Sequence, residues 1–416
     1  MKKGRMFAAL AVISTVWLFA GCTGGVSPVQ TDIGFQPATE TTLSLEKVEE
    51  QTRESLLWED CYAYAFSTLS EAEQIWYRDM AAALGIMSTD AKLSEEGLEQ
   101  GLDETCVDKV FQCVLIDHPE LFYVEGYSYT KYTVGEKIVS IEFTGTYSID
   151  WDEACDRAHE IAKEAERILA AAPQSDDDYE RIKYIYDTLV LETDYDRNAS
   201  DNQNVYSVFV GHASVCQGYA KAFQYLLERM DMDCTLVQGD VWETGEGHAW
   251  NLVRADGEFY YVDVTWGDIS YRNLEETEEE AQVPELPEWI SYDYLCITTE
   301  QLLRTHLPDD SMELPLCTAV DDNYYVREKA FFTQYDKAQM EDLVNRRIEE
   351  GRQTEEGDVV LALCCADETC YEEVCTKLLD TQELFRYLEG TGINTFIYST
   401  DDKQYTLTFF MVTTTQ

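Results

Sequence analysis

Ala213-Ser214-Val215-Cys216-Gln217-Gly218-Tyr219-Ala220-Lys221-Ala222-Phe223, continued by Gln224-Tyr225-Leu226-Leu227-Glu228-Arg229-Met230, is the stretch on which the reading of this chain turns. Ala222, Phe223, Leu226, Leu227 and Met230 recur at spacings of three and four, the pattern of a helix with one buried face. Ser214 offers a side-chain oxygen to cap its first turn. Cys216 then falls inside that turn, facing unpaired backbone N–H groups and the positive end of the helix dipole, a setting that favours a reactive thiolate. The same N–H groups could hold a developing oxyanion.

Downstream, the apolar runs His248-Ala249-Trp250-Asn251-Leu252-Val253-Arg254 and Glu258-Phe259-Tyr260-Tyr261-Val262-Asp263-Val264-Thr265-Trp266 flank Ala255-Asp256-Gly257. Their aromatic and β-branched content, with the Asp-Gly centre, predicts a hairpin. With Ala255 paired to Glu258, His248 falls opposite Thr265 and Trp250 opposite Asp263. Asp263 is then diagonal to His248 on the same face, roughly 7–8 Å away and within reach of a long side chain. In that arrangement Cys216 attacks a carbonyl, His248 takes and returns the proton, and Asp263 fixes the imidazole and stabilises its cation. Each residue alone has a plainer reading: a small buried hydrophobe, a satisfied strand histidine, a strand-end cap. Helix start, hairpin register and chain order concur only for the triad.

The segments Ser214-Val215-Cys216-Gln217-Gly218-Tyr219-Ala220, Gly247-His248-Ala249-Trp250-Asn251 and Tyr260-Tyr261-Val262-Asp263-Val264-Thr265-Trp266 resemble the core of the transglutaminase-like superfamily, and most nearly bacterial surface lipoproteins that carry such a domain. The resemblance spans about residues 178–310. It implies a papain-like α/β core with Cys216 as nucleophile and His248 and Asp263 as its partners. The superfamily includes protein crosslinkers, peptidases, deamidases and proteins without known activity, so the reaction stays open. Gln217, Asn251 and Tyr206 match family-typical positions, with no defined catalytic role; together with Trp250 they are the candidates for a substrate site. The Glu-rich stretch after Trp266 is longer than the family pattern.

The chain opens with a basic Met1-Lys2-Lys3-Gly4-Arg5, an apolar stretch from Met6 to Phe19, and Phe19-Ala20-Gly21-Cys22. That is the anatomy of a secretion signal, too short to be kept as an ordinary membrane span. Ala-Gly-Cys resembles a bacterial lipobox, with Phe19 where Leu is commoner. It implies that residues 1–22 are a lipoprotein signal ending at Cys22, the lipidated anchor on the outer face of the cell membrane. A plain secretory signal cleaved nearby is the alternative. Residues 23–43 read as a flexible tether.

Eighty-one Asp and Glu against 30 Lys and Arg give a formal net charge of −51. Nucleic acid is disfavoured as a partner, because such binding neutralises phosphates with basic side chains. A cationic or Lys-bearing peptide would be steered toward this field, although the acidity also serves solubility. Of 13 cysteines, Cys61, Cys155 and Cys296 read as core packing. Cys364, Cys365, Cys370 and Cys375 lack paired CxxC spacing and a nearby histidine, so no metal is expected. Cys364 and Cys365 end a strand-like run, one facing the core and the other solvent. The acyl chemistry needs no cofactor. Among the other histidines, His118 reads as loop structure, His159 as helix surface, His212 as the competitor for the base, and His306 as the structural close of a short helix.

The expected class is α+β. A helical and hairpin N-terminal region (44–174) holds a capping-box helix from Ser70, strands Glu120–Lys131 and Lys137–Ser148, and a helix Asp152–Ala171. The catalytic region (175–312) opens with a helix Tyr179–Leu191. A small two-layer α/β domain (313–416) follows, with helices Lys337–Glu350 and Tyr371–Leu388 among strands Val359–Cys364, Thr395–Ser399 and Tyr405–Val412. Glu275–Glu280 reads as a solvated loop, with selection of basic substrates as the alternative. Two functions stand: an exported, membrane-anchored cysteine hydrolase or acyltransferase, hydrolysis being preferred because crosslinking needs a water-excluding site; and a non-enzymatic surface scaffold that keeps the fold.

Overall fold

A computed structural model describes residues 33–34, 53–57, 62–268, 289–353 and 358–412. The signal-like leader, the lipidation candidate Cys22, Cys61 and the acidic stretch Glu275–Glu280 lie outside the described residues. Among those described, no helix is long and apolar enough to cross a membrane. Within the segment read as a tether, Ile33–Gly34 pair in parallel with Tyr132 and Thr133.

The N-terminal region is built on the hairpin Val124–Val134 and Lys137–Tyr147, flanked by Ile33–Gly34 and Ala91–Lys92 in one four-stranded sheet. Helix Glu71–Gly85 starts at the expected capping box, Ser70 and Glu73 each bonding the other's backbone N–H. A helix not anticipated from the sequence, Cys106–Asp117, packs beside it through Val107, Val110, Phe111 and Val114. Its last residue is a buried carboxylate that receives the N–H groups of Ala65 and Phe66 and the hydroxyl of Tyr77, so Asp117 closes a neighbouring helix rather than its own.

The central sheet runs in the order His306–Pro308, Cys234–Val241, Gly247–Ala255, Glu258–Val262, antiparallel throughout. Helix Cys216–Glu228 packs on it, almost wholly buried from Gly218 onward. The hairpin register is the expected one, with Ala255 opposite Glu258 and Asn251 opposite Val262. Asp256 (φ 50°) and Gly257 (φ 88°) both take the left-handed conformation a two-residue hairpin turn requires. The second strand is shorter than expected. After Val262 the chain leaves the ladder and winds into a 3₁₀ turn, Thr265–Gly267, so His248 has no cross-strand partner at Thr265. Asp263 drives the exit: its Oδ1 accepts the N–H of Trp266 at 3.3 Å, an Asx-type bond that competes with strand pairing.

The C-terminal unit is a four-stranded sheet, Phe331–Phe332, Asp358–Cys365, Thr406–Val412, Phe396–Asp401, with helices Lys337–Gly351 and Glu368–Cys375 against its second strand. The single helix expected over Tyr371–Leu388 is broken. It passes through a wider turn at Thr376–Asp380 and a left-handed Gln382 before the short helix Leu384–Tyr387. Cys364 and Cys365 are both buried, which corrects the expectation of one solvent-facing thiol: Cys365 meets Cys370 on the helix, and Cys364 lies against the backbone oxygen of Gln404.

Candidate active site

Cys216 is the first residue of its helix. The N-cap is Val215, and no side chain caps the turn. Ser214, expected to do so, instead donates its hydroxyl to the carbonyl of Asn202 (2.7 Å) and lies 2.7 Å from Ser207 Oγ. This locks the chain entering the helix and leaves the first-turn backbone polarity at the sulfur uncompensated by a cap. Close packing demands a glycine here. A Cβ on Gly218 would stand 1.9 Å from Ser214 Oγ.

His248 enters from the second residue of the strand Gly247–Ala255, with Asp263 beyond the end of the neighbouring strand. His248 Nε2 lies 2.7 Å from Asp263 Oδ2, both side chains almost fully buried. A carboxylate only accepts, so Nε2 carries the hydrogen. That leaves Nδ1 to face the Cys216 sulfur, which is one of the groups acting on the ring's charge. Burial works against a charged His248, but the Asp263 carboxylate and the Cys216 sulfur outweigh it and raise the imidazole to about 10. Burial likewise opposes the charge on Asp263, and His248 and His306 overcome it, holding this carboxyl below its usual range. A cationic imidazole keeps a proton ready for a leaving group.

The structure thus brings Cys216, His248 and Asp263 together. Gln217 lies partly exposed beside the sulfur on the helix. Trp250 and Asn251, expected near a substrate site, present no surface: both are fully buried. Trp250 stacks on His248 at 6.0 Å between ring centroids and meets His306 edge-on at 4.8 Å, shielding the ion pair from water. Asn251 Nδ2 donates to Ala220 O at 2.9 Å, a clasp between strand and nucleophile helix. Tyr206 gives its hydroxyl to Glu160 on the helix Trp151–Ala170, under the guanidinium of Arg157. His212, the competitor base, is exposed and turned to the carbonyl of Glu192. His118 is buried against Glu120 at 2.8 Å, and His159 bonds its own helix at Cys155 O.

His306, read from the sequence as the structural close of a short helix, is the site neighbour that reading missed. It opens the edge strand His306–Pro308 rather than closing a helix, pairs with Val241, and is fully buried. Its Nε2 reaches Asp263 Oδ2 at 3.1 Å. No local motif marks this: the contact depends on the sheet order that lays the edge strand beside Val241.

His248, Asp263 and His306 place three potential metal-ligand atoms within 4.8 Å of one another. Both ring nitrogens, however, aim at one carboxylate oxygen at hydrogen-bond separation, so their lone-pair directions converge on Oδ2 and not on a common point beside it. A second acidic group, Asp177, Asp256 and Asp322, already has a cation: Arg327 pairs with both Asp177 and Asp322.

Residues 167–264 match the model of the transglutaminase-like superfamily. No curated protein sequence matches the chain. Among solved structures, it is similar to a transglutaminase at 13% identity and a TM-score of 0.26, over 39% of this chain and 57% of that one. It is also similar to a candidate cysteine protease from Cytophaga hutchinsonii at 11% identity and a TM-score of 0.23, over 33% of this chain and 61% of that one. The chain spans less than two thirds of either.

Proposed function

Because this chain carries a transglutaminase-like domain over residues 167–264, we propose that it is a cysteine enzyme acting on peptide or amide carbonyls through an acyl-enzyme on Cys216. One observation carries the reading: a buried carboxylate 2.7 Å from the His248 imidazole holds it as a cation, and the sulfur acting on that imidazole's charge is Cys216, the first residue of an uncapped helix. The Cys216 thiolate adds to the carbonyl carbon, and the oxyanion is met by the N–H groups of the first helical turn. As the C–N bond breaks, His248 gives its proton to the departing amine. Water or a second amine then adds to the thioester carbonyl, His248 takes the proton from it, and the C–S bond breaks to restore the Cys216 thiolate and the cationic His248.

Hydrolysis is the preferred second half. Cys216 is partly exposed, Trp250 is spent covering His248, and Trp242 is 64% exposed to solvent. None of these supports the dry enclosure that favours an amine over water. The leader ending at Cys22 supports action at the outer face of a cell membrane, and the net charge of −51 supports a cationic or Lys-bearing peptide substrate. The test is to incubate the protein with a peptide library and a dye-labelled amine. New peptide termini with an acyl adduct on Cys216 are expected, and dye incorporation without new termini would replace hydrolysis by amine transfer.

A further inference from the structure

Asp263 is held from its far side by a buried line of hydrogen bonds that begins in the C-terminal unit. Gln404, in the turn between strands Phe396–Asp401 and Thr406–Val412, places Nε2 3.0 Å from Tyr294 Oη. Tyr294 Oη is 2.9 Å from Thr305 Oγ1, Thr305 Oγ1 is 2.8 Å from His306 Nδ1, and His306 Nε2 is 3.1 Å from Asp263 Oδ2. All five side chains are buried, so water does not compete for these bonds.

The two ends, with a neutral His306, set the polarity of the line. The Gln404 amide also meets the carbonyl of Gln301 at 3.1 Å. A carbonyl only accepts, so the nitrogen of the amide faces Gln301 and Tyr294. At the other end a carboxylate only accepts, so His306 carries its hydrogen on Nε2. Between them Gln404 donates to Tyr294 and Tyr294 to Thr305, and with His306 neutral the Thr305 hydroxyl, which also lies 3.4 Å from Leu302 O, gives its hydrogen at 2.8 Å to the bare Nδ1 of His306. Burial disfavours the charged form of His306 and lowers its pKa despite Asp263 and the Leu302 backbone, which agrees with a neutral ring accepting from Thr305 at Nδ1. Asp263 thus receives one charged and one neutral donor on the same oxygen, plus the Trp266 N–H on the other.

We propose that His306 is a positioning residue for Asp263, and that the C-terminal unit, through Gln404, Tyr294 and Thr305, sets the tautomer in which His306 does this. The inference rests on the reading of Cys216, His248 and Asp263 as the working set. It gives the C-terminal unit a role: it supplies the last donor of the line that steadies the carboxylate behind His248.

The test combines ¹⁵N-histidine NMR with the rate at which iodoacetamide alkylates Cys216, in the full chain. Wild type should show His306 neutral with its proton on Nε2. Thr305→Val, nearly isosteric, should mix the two tautomers and slow alkylation roughly three- to tenfold, the equivalent of one hydrogen bond. Thr305→Ser should restore both signals, and Gln404→Leu should slow alkylation in the same direction. A His306 protonated on Nδ1 in wild type, or a Thr305→Val protein that reacts at the wild-type rate with the wild-type tautomer, overturns the proposal. If instead Cys216 reacts no faster in wild type than in His248→Ala, the reading of the active site fails, while the tautomer still reports on the line itself.

Discussion

His248 Nε2 stands 2.7 Å from Asp263 Oδ2 although the ladder between their strands ends at Asn251 and Val262. The contact exists because Asp263 turns its segment out of the sheet and carries its carboxylate back under the histidine. The pair sets a pH dependence. The folded-state pKa of His248 is raised to about 10, against about 6.5 in an unfolded chain. Its stabilisation is full below about pH 6.5 and is lost as pH rises toward 10, because over that window the unfolded state has released a proton the native state keeps. Denaturant unfolding should show stability falling by up to about 1.4 kcal/mol per pH unit there, and His248→Gln should flatten that part of the profile. An unchanged slope in the variant would count against the buried ion pair.

Glu228, at the C-terminal end of the nucleophile helix, titrates in the same direction for a different reason. Burial pushes its carboxyl up to about 9, against the help of a hydrogen bond from Gln224, and Glu120 and Asp117 push it further. A carboxyl with a raised folded pKa stabilises fully below the unfolded value of about 4.3, and the contribution disappears as pH climbs through 9. Glu228→Gln should therefore match wild type in mild acid and exceed it in stability at pH 8–9. Equal stability of the two proteins across that whole range would refute a neutral Glu228.

Gly239 lies where the edge strand and the tryptophan that covers the triad converge. A Cβ there would stand 2.2 Å from Leu307 O and 2.8 Å from Trp250 Cη2. Gly239→Ala must shift backbone, and overpacking of this kind costs roughly 1–3 kcal/mol or more. A lower midpoint in thermal melting is expected, together with slower alkylation of Cys216, since the displaced strand carries His306. A variant as stable and as reactive as wild type would contradict the packing.

Asn251→Ala should cost about 0.5–1.5 kcal/mol in denaturant unfolding, because it removes the hydrogen bond that Asn251 Nδ2 gives to Ala220 O on the nucleophile helix. If the clasp between helix and strand holds sulfur and imidazole in register, Cys216 reactivity falls with it. A cost below the error of the measurement would show that Asn251 ties nothing together.

Much of this site was legible because local chemistry dictates it. Asp256-Gly257 can occupy two left-handed positions, so the turn fixes the register, and the register delivers His248 and Asp263 to one end of the hairpin. The three-four periodicity after Cys216 gives the helix and its buried face. What escaped depends on contacts distant in sequence. Ser214 looks like a cap, but Ser207 and Asn202 O take its hydroxyl. Asn251, at a family-typical position, and Trp250 pack inward on opposite faces of the strand, Asn251 against the nucleophile helix and Trp250 against His248 and His306. His306 joins Asp263 across 43 positions through an edge-strand pairing with Val241 that periodicity does not encode. Cys365 is covered by a helix whose docking the strand pattern does not announce.

The central claim is that Cys216 is activated by a cationic His248 held on Asp263. The direct measurement is the pH profile of Cys216 alkylation by iodoacetamide, read by mass spectrometry of the modified peptide, in wild type, His248→Ala and Asp263→Asn. Wild type should react rapidly in mild acid, where an ordinary thiol is protonated, with the rate falling by roughly tenfold or more in each variant, about 1.4 kcal/mol. A wild-type thiol that reacts only at alkaline pH, at a rate neither substitution changes, would contradict the account.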